Sequence, residues 1–271
     1  MRTIFITGAS SGIGKATARH FAEKGWNVIA TMRSPEKETE LTELDNVLIL
    51  SLDVEQKETI QEAIVKGIKR FGKIDVLLNN AGYGTMGIFE SATDDQIRRQ
   101  FDVNVFGLMK MTKAMLPHLR ANKNGLIINI SSMGGKITFP TMSLYHATKF
   151  AVEGFTESLS FELASQNIHV KLIEPGSINT DFSGRSMDFF FDESLTDYHE
   201  YTDSFRKGLK KMNERGQFTS PEIVAEVIYQ AATDSTNQMR YVIGEDAKNL
   251  IKIKEESGDL AFIKHMNQMF L

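Results

Sequence analysis

Between residues 7 and 14 the chain has the sequence Thr7-Gly8-Ala9-Ser10-Ser11-Gly12-Ile13-Gly14. A short apolar run with β-branched residues, 3–7, precedes this turn and predicts a buried strand, and helical spacing follows from Ile13 to Glu23. Glycines permit a tight turn and a close approach of backbone to a pyrophosphate, and the helix N-terminus supplies free N–H donors. An ordinary glycine turn is the alternative, but the strand–turn–helix context favours a dinucleotide-binding site.

Strands and helices alternate along the rest of the chain. Short apolar stretches predict further strands over 27–31, 47–50, 74–78, 126–130 and 168–173, and helical spacing predicts helices over 56–70, 94–120 and 144–164. This alternation predicts right-handed βαβ units, and therefore a doubly wound parallel sheet of the α/β class. After Pro175 we expect an irregular segment over 182–215, a helix over 221–232, a strand over 241–243 and a helical tail. No repeat or linker is evident, so we predict a single domain over residues 1–271.

The composition excludes several classes of protein and site. The 271 residues carry 31 Lys and Arg against 35 Asp and Glu, and this net charge of −4 argues against nucleic acid as a partner. Because cysteine is absent, a disulfide framework, a thiolate zinc site and a cysteine nucleophile are excluded, and we predict no metal site. No run approaches the roughly 18 apolar residues of a transmembrane helix, and no signal-peptide pattern is present. We therefore expect no transmembrane segment and a cytoplasmic location.

Further motifs follow the glycine turn along the chain. They are Asn79-Asn80-Ala81-Gly82, Asn104, Ser132, Tyr145-His146-Ala147-Thr148-Lys149, and Pro175-Gly176 with Thr180. Together with Thr-Gly-x3-Gly-x-Gly, which differs from the Gly-x-Gly-x-x-Gly of larger dehydrogenases, this set resembles the short-chain dehydrogenase/reductase family over residues 3 to about 180. The resemblance implies a Rossmann fold, a nicotinamide dinucleotide cofactor and an oxidoreductase, and more specifically its retinoid- or steroid-type and carbonyl-reductase members.

Tyr145 and Lys149 are the candidate proton-transfer pair. They are four residues apart on a predicted helix and so share a face. A tyrosine has an ordinary pKa of about 10, and a neighbouring ammonium group lowers that pKa. A surface Tyr–Lys pair is the alternative for these two residues alone. The resemblance implies that Tyr145 protonates the substrate oxygen during reduction, while Lys149 tunes Tyr145 and holds the nicotinamide ribose.

Two polar residues, Ser132 and Asn104, complete the predicted catalytic set. The resemblance implies that Ser132, thirteen residues before Tyr145, binds the substrate oxygen, and that Asn104 holds a water linking Lys149 to solvent. Ser131 is the alternative to Ser132, and a solvated or helix-bending side chain is the alternative for Asn104. For His146 we predict a place on the helix surface, with a substrate-facing position as the alternative.

The cofactor prediction depends on the end of the second strand. An NAD site places a carboxylate there, but residues 27–35 contain no acid and Arg33 is present instead. An arginine can pair with a 2′-phosphate, so we predict NADP(H) in preference to NAD(H), with an exposed loop arginine as the alternative. The resemblance implies cofactor contacts at Gly8, Ser10, Ser11, Gly12, Ile13, Gly14, Arg33, Asp53, Val54, Asn80, Ala81, Gly82, Tyr145, Lys149, Pro175, Gly176, Ile178 and Thr180.

The segment 182–215 is rich in aromatic residues and methionine, and the resemblance implies that it is a lid over the substrate. An apolar lining favours a small hydrophobic alcohol, ketone or aldehyde as substrate. Packing of the lid against the body is the alternative for these side chains. The long helices over 94–120 and 144–164 carry more apolar surface than one sheet face needs, so we predict a homodimer or homotetramer through them.

Three functions are compatible with this fold. An alcohol–carbonyl oxidoreductase is the one that the complete Ser132, Tyr145 and Lys149 set favours. A non-enzymatic dinucleotide sensor is the alternative, although such proteins typically lack part of that set. Epimerisation or dehydration of a bound sugar usually needs a longer substrate region than the roughly 90 residues after Thr180.

Overall fold

The computed structural model describes residues 1–184, 186–216 and 218–271, so Arg185 of the predicted lid lies outside the described residues. The strands are β1 (Thr3–Thr7), β2 (Asn27–Met32), β3 (Val47–Ser51), β4 (Val76–Asn79), β5 (Gly84–Gly87), β6 (Gly125–Ile130), β7 (Ile168–Pro175), β8 (Met187–Phe190) and β9 (Arg240–Ile243). The α-helices are α1 (Gly12–Glu23), α2 (Lys57–Phe71), α3 (Asp94–Phe101), α4 (Leu108–Ala121), α5 (Ser143–Ala164), α6 (His199–Arg215), α7 (Pro221–Thr233), α8 (Glu245–Ser257) and α9 (Asp259–Phe270).

The main sheet is parallel and has the strand order β3-β2-β1-β4-β6-β7-β9. Its winding direction reverses between β1 and β4, which confirms the predicted doubly wound sheet. In sheets of this kind, ligands bind outside the carboxyl ends of the strands at the reversal. The glycine turn follows β1 and the Asn79–Gly82 motif ends β4, so the fold brings both motifs to that crevice.

Helices cover both faces of the sheet. On β1, Ile4 and Ile6 belong to an apolar core that includes side chains of α1 and α7, whereas Phe5 belongs to a second core with α2, α4 and α5. Because both faces are buried, every residue of β1 is buried and the strand shows no alternation of polar and apolar residues. The single predicted domain therefore has two apolar layers around one sheet.

The predicted helix over 94–120 is interrupted in the structure. A π-helical turn, Asp102–Gly107, separates α3 from α4, and such turns are frequent at functional sites. A Cβ on Gly107 would lie 2.7 Å from a methyl group of Val54, so glycine allows this turn to pack against the residues that follow β3. Asn104 lies inside the turn.

The prediction of an irregular segment over 182–215 is wrong in two places. Met187–Phe190 forms β8, which pairs in parallel with β5 in a separate two-stranded sheet, and α6 begins at His199. Strand β5 is only four residues long, two of them glycine, so it gives no strand pattern. For α6 a signal was present, because Phe205, Leu209 and Met212 repeat at helical spacing.

Candidate active site

The glycine turn has the geometry of an anion cradle. Gly8 and Gly12 adopt positive φ angles of 70° and 52°, which side-chain-bearing residues rarely adopt. A Cβ on Gly14 would lie 2.5 Å from Nδ2 of Asn80 and would collide with the carbonyl oxygen of Gly8. Ser11 precedes α1 without a capping bond from its side chain. The first N–H groups of α1 therefore have no side-chain cap from Ser11, and the residues present fit a pyrophosphate.

A hydrogen-bonded link joins the ends of β1 and β4. Nδ2 of Asn80 donates to the carbonyl oxygens of Thr7 and Gly8, both at 2.9 Å. Oγ1 of Thr7 accepts from the backbone N–H groups of Asn80 and Ala81 at 3.0 and 3.1 Å. Thr7 was not among the predicted site residues, but it fixes the turn against the strand that carries Asn80.

One cavity of about 800 Å³ extends from this turn to the last turn of α9. Its wall includes every predicted cofactor residue except Gly14, together with Ser132, and Asn104 is not part of it. Arg33 is exposed at the cavity wall, while two carboxylates of its loop, Glu38 and Glu40, pair with Lys15 on α1. Arg33 thus lies at the end of β2 in the cavity wall, and its predicted contact with the cofactor stays a prediction.

Ser132, Tyr145 and Lys149 meet at the cavity wall. The side chains of Ser132 and Tyr145 both line this wall; Oγ of Ser132 accepts from the backbone N–H of Gly134 at 3.0 Å and lies 3.5 Å from the carbonyl oxygen of Pro175. Nζ of Lys149 donates to the carbonyl oxygen of Ile130 at 2.9 Å and lies 5.7 Å from the ring centroid of Tyr145. The helix α5 carries the tyrosine and the lysine, and the end of β6 brings the serine to them.

Burial controls the proton affinities of this group. It raises the pKa of Tyr145 to about 12, and the nearby hydroxyl of Ser132 acts in the opposite direction. Burial also lowers the pKa of Lys149 to about 8, opposed by the charge of Glu153. The lowered tyrosine pKa expected from the Tyr–Lys pair is therefore not what the protein alone produces, because desolvation of the phenol is the larger effect.

Asn104 fastens a neighbouring segment through its side chain. Its Oδ1 accepts from the backbone N–H of Tyr83 at 3.0 Å, and its Nδ2 donates to the carbonyl oxygen of Tyr83 at 2.8 Å. Nδ2 also lies 3.2 Å from Oγ1 of Thr148 on α5. The side chain thus holds the start of β5 near the helix of Tyr145, and its predicted water-relay role stays a prediction.

The prediction of a surface position for His146 is wrong. The imidazole is buried between the carbonyl oxygen of Gly134 and the backbone N–H of Phe139, and it lines the cavity. The loop between β6 and α5 folds over it, which local helical spacing does not reveal.

The part of the cavity beyond Tyr145 is apolar. Phe182 packs edge-on against Tyr145 with ring centroids 5.9 Å apart, and Phe270 packs against both Phe205 and Phe139. Phe270 was not among the predicted site residues, because nothing in the local pattern of the C-terminal helices points to the site. Among the residues that the structure describes, no group of three His, Cys, Asp or Glu side chains could hold a metal ion. No helix of the described ranges is long and apolar enough to cross a membrane.

Comparison with known proteins places this geometry in a family. The model of the short chain dehydrogenase family matches residues 2–188. An uncharacterized oxidoreductase of Schizosaccharomyces pombe is 39% identical over 243 residues, which cover 89% of this chain and 100% of that protein. The chain belongs to the short-chain dehydrogenase family and is an NAD(P)-dependent oxidoreductase acting on CH–OH groups.

Two named relatives and one solved structure extend the comparison. The 3-ketodihydrosphingosine reductase of Bacteroides thetaiotaomicron is 40% identical, covering 76% of this chain and 74% of that protein. Retinol dehydrogenase 8 of Bos taurus is 32% identical, covering 96% and 87%. The crystal structure of a short-chain dehydrogenase from Streptomyces avermitilis superposes with a TM-score of 0.81 at 32% identity, covering 94% of this chain and 93% of that one. The predicted likeness to retinoid-type members is confirmed.

Proposed function

We propose that the protein interconverts a hydrophobic alcohol and its ketone or aldehyde with NADP(H), and that Tyr145 is the acid and base. One observation carries this proposal: Ser132, Tyr145 and Lys149 lie together in the wall of one cavity, and apolar side chains, including Phe139, Phe205 and Phe270, line its far end. A carbonyl oxygen bound by both hydroxyls would leave its hydrocarbon part among the aromatic rings.

Each catalytic residue has one role in this mechanism. Oγ of Ser132 accepts from Gly134 at 3.0 Å and donates to the carbonyl oxygen of Pro175 only at 3.5 Å, so its proton can turn to the substrate oxygen, where negative charge develops. Tyr145 gives its proton to that oxygen during reduction and takes it back during oxidation. Lys149 uses one N–H on Ile130, which leaves two for the hydroxyls of a ribose. Bound NADPH would supply the hydride.

The cofactor preference rests on Arg33. Arg33 is exposed in the cavity wall that also contains the glycine turn, and two acids of its loop, Glu38 and Glu40, are paired with Lys15. A guanidinium in this position suits a 2′-phosphate, while the cradle of Gly8 to Gly14 suits the pyrophosphate. The neighbouring Asp53 would contact the adenine.

The substrate proposal rests on the cavity wall and on relatives. Segment 182–215 contributes aromatic and methionine side chains to that wall, which supports its role as a substrate lid. The named relatives are, by name, a reductase of 3-ketodihydrosphingosine and a dehydrogenase of retinol. Both names denote large, mainly hydrocarbon molecules, which accords with an apolar pocket.

We also propose that the protein forms a homodimer or homotetramer through α4 and α5. Phe150 and Phe161 on α5 and Phe106 in the π-helical turn are large apolar side chains that remain exposed. Such a surface is typical of a contact between subunits. The cytoplasmic location stays a prediction.

The deciding experiment is NADPH oxidation against a panel of hydrophobic ketones and aldehydes, compared with Tyr145→Phe. We expect turnover by the native protein and a loss of at least about a hundredfold in the variant, because general acid catalysis contributes about that much. NADPH binding should be equal in the two proteins. NADPH binding without turnover of any carbonyl compound would contradict the proposal and favour the dinucleotide sensor.

A further inference from the structure

The imidazole of His146 bridges two backbone groups of the loop between β6 and α5. Nδ1 lies 2.8 Å from the carbonyl oxygen of Gly134, and Nε2 lies 2.8 Å from the backbone N–H of Phe139. The side chain belongs to the residue after Tyr145 and is only 4% exposed. His146 therefore holds both ends of the segment 134–139 to the helix of the catalytic tyrosine.

These two contacts define the protonation state of the ring. The N–H of Phe139 can only donate, so Nε2 must present its lone pair. The carbonyl oxygen of Gly134 can only accept, so Nδ1 must carry the hydrogen. Only the neutral imidazole with its hydrogen on Nδ1 satisfies both groups. Burial also lowers the pKa of His146 to about 4, which keeps the ring neutral at ordinary pH.

Gly134 connects the imidazole to the catalytic serine. The N–H of Gly134 donates to Oγ of Ser132 at 3.0 Å, while its carbonyl oxygen binds His146. A Cβ on Gly134 would lie 2.9 Å from Nδ1 of His146 and 3.2 Å from the Tyr145 ring. The loop end that carries Ser132 is thus packed directly on Tyr145, without an intervening side chain.

Phe139 connects the imidazole to the substrate side. Its ring stacks on His146 with centroids 5.8 Å apart and an angle of 23° between the planes. It also lines the cavity and contacts Phe270. The two nitrogens of one imidazole therefore bind two loop positions with different roles.

We propose that His146 is a positioning residue, which sets the geometry of Ser132 and Tyr145 through Gly134 and the substrate wall through Phe139. This inference rests on the proposed function, because it assigns the Gly134 contact to the rate of turnover and the Phe139 contact to substrate binding. A side chain that merely filled the core would not affect rate and substrate binding separately.

Two variants that each keep one contact test this separation. In His146→Gln the longer amide can still accept from Phe139 but loses Gly134, so we expect kcat to fall about tenfold or more, the scale of small misplacements of reacting groups. In His146→Asn the shorter amide can still donate to Gly134 but loses Phe139. Here we expect KM for the carbonyl compound to rise several-fold with kcat nearly unchanged.

His118→Gln is the matched control. His118 also accepts from a backbone N–H, that of Ile74 at 3.0 Å, but at the amino end of β4, away from the carboxyl ends of the strands. The longer amide of Gln can still accept from that N–H, so we expect this variant to keep native kcat and KM. Equal changes in both His146 variants, or a lower melting temperature with native kinetics, would overturn the positioning role.

The ring state can be tested without any substrate by ¹⁵N nuclear magnetic resonance of labelled histidines. The signal that disappears in His146→Gln should report a hydrogen on Nδ1 and no titration between about pH 5 and 8, where an ordinary histidine changes charge. Titration in that range, or a hydrogen on Nε2, would overturn the two assigned contacts of His146 with Gly134 and Phe139. If these contacts are found but no carbonyl compound is turned over, the proposed function fails and the positioning role fails with it.

Discussion

At the scale of single residues, the proposed preference for NADP(H) rests on Arg33. It occupies the end of β2, where a carboxylate would bind the 2′-hydroxyl of NAD and would repel a 2′-phosphate. A guanidinium reverses this preference, because it offers charge-assisted hydrogen bonds to phosphate.

We expect Arg33→Ala to weaken NADPH binding about ten- to hundredfold, as the loss of hydrogen bonds to a charged group predicts, and to leave NADH binding unchanged. Titration of both cofactors by fluorescence measures the two affinities. Arg19→Ala, an exposed arginine on α1 that lies 3.9 Å from Glu40, is the control and should change neither. An equal loss of both cofactors in Arg33→Ala would contradict the assignment.

At the scale of single residues, the sequence predicts those side chains whose positions follow from local spacing along a helix or strand. Tyr145 and Lys149 share a helix face, and Ser132 lies at the end of a strand, so each follows from a local pattern. The burial of His146 does not follow from a local pattern, because it depends on the irregular loop between β6 and α5. The rise in the pKa of Tyr145 does not follow either, because the burial that causes it involves Phe182, which is distant in sequence. Desolvation is a property of the assembled site.

Among the elements, α6 and α9 complete the cavity wall, a role that their sequences do not reveal. Gly208 on α6 lies against the last turn of α9, where a Cβ would be 2.6 Å from the Cα of Phe270. This close crossing lets the Phe270 ring stack on Phe205 at 5.6 Å and complete the apolar wall. The sequence shows the helical spacing of α6, but it does not show that α6 packs against α9. The residues in contact lie more than fifty positions apart in the chain.

We expect Phe270→Ala to enlarge the substrate cavity and to raise kcat/KM for long-chain ketones relative to short-chain ones. A series of linear ketones of increasing length measures this ratio. Phe262→Ala is the matched control, because Phe262 is buried on the same helix and is not part of the cavity wall. Both variants should lose about 3–5 kcal/mol of stability. An equal change in the long-chain to short-chain ratio of kcat/KM in both would therefore point to destabilisation of the whole protein and would contradict a role of Phe270 in the cavity wall.

Across the whole molecule, the fold follows from one repeated rule. Strands without polar positions need cover on both faces, and the alternating helices provide it, so the class of the main sheet and its doubly wound arrangement were predictable. The β5–β8 sheet was not, because its strands are four residues long and lie about a hundred positions apart. Exposed apolar rings on α5 remain after the single chain has folded.

We expect sedimentation of the native protein at micromolar concentration to show a dimer or tetramer and Phe161→Glu to show a monomer. Phe161 is 76% exposed, and a charge there would be buried in a contact between α5 helices. Val65→Glu on α2, at a side chain that is 62% exposed, is the control and should keep the native assembly. A native protein that is monomeric would refute the proposed contact.

The pairing of β5 with β8 has a consequence for protein engineering. Gly87 has no room for a side chain, because a Cβ would collide with the carbonyl oxygen of Phe190 across the small sheet. The register also joins Gly84 to Met187. Segment 182–215 is therefore not an exchangeable module: a chimera that takes this segment from a relative must take residues 84–87 from the same donor.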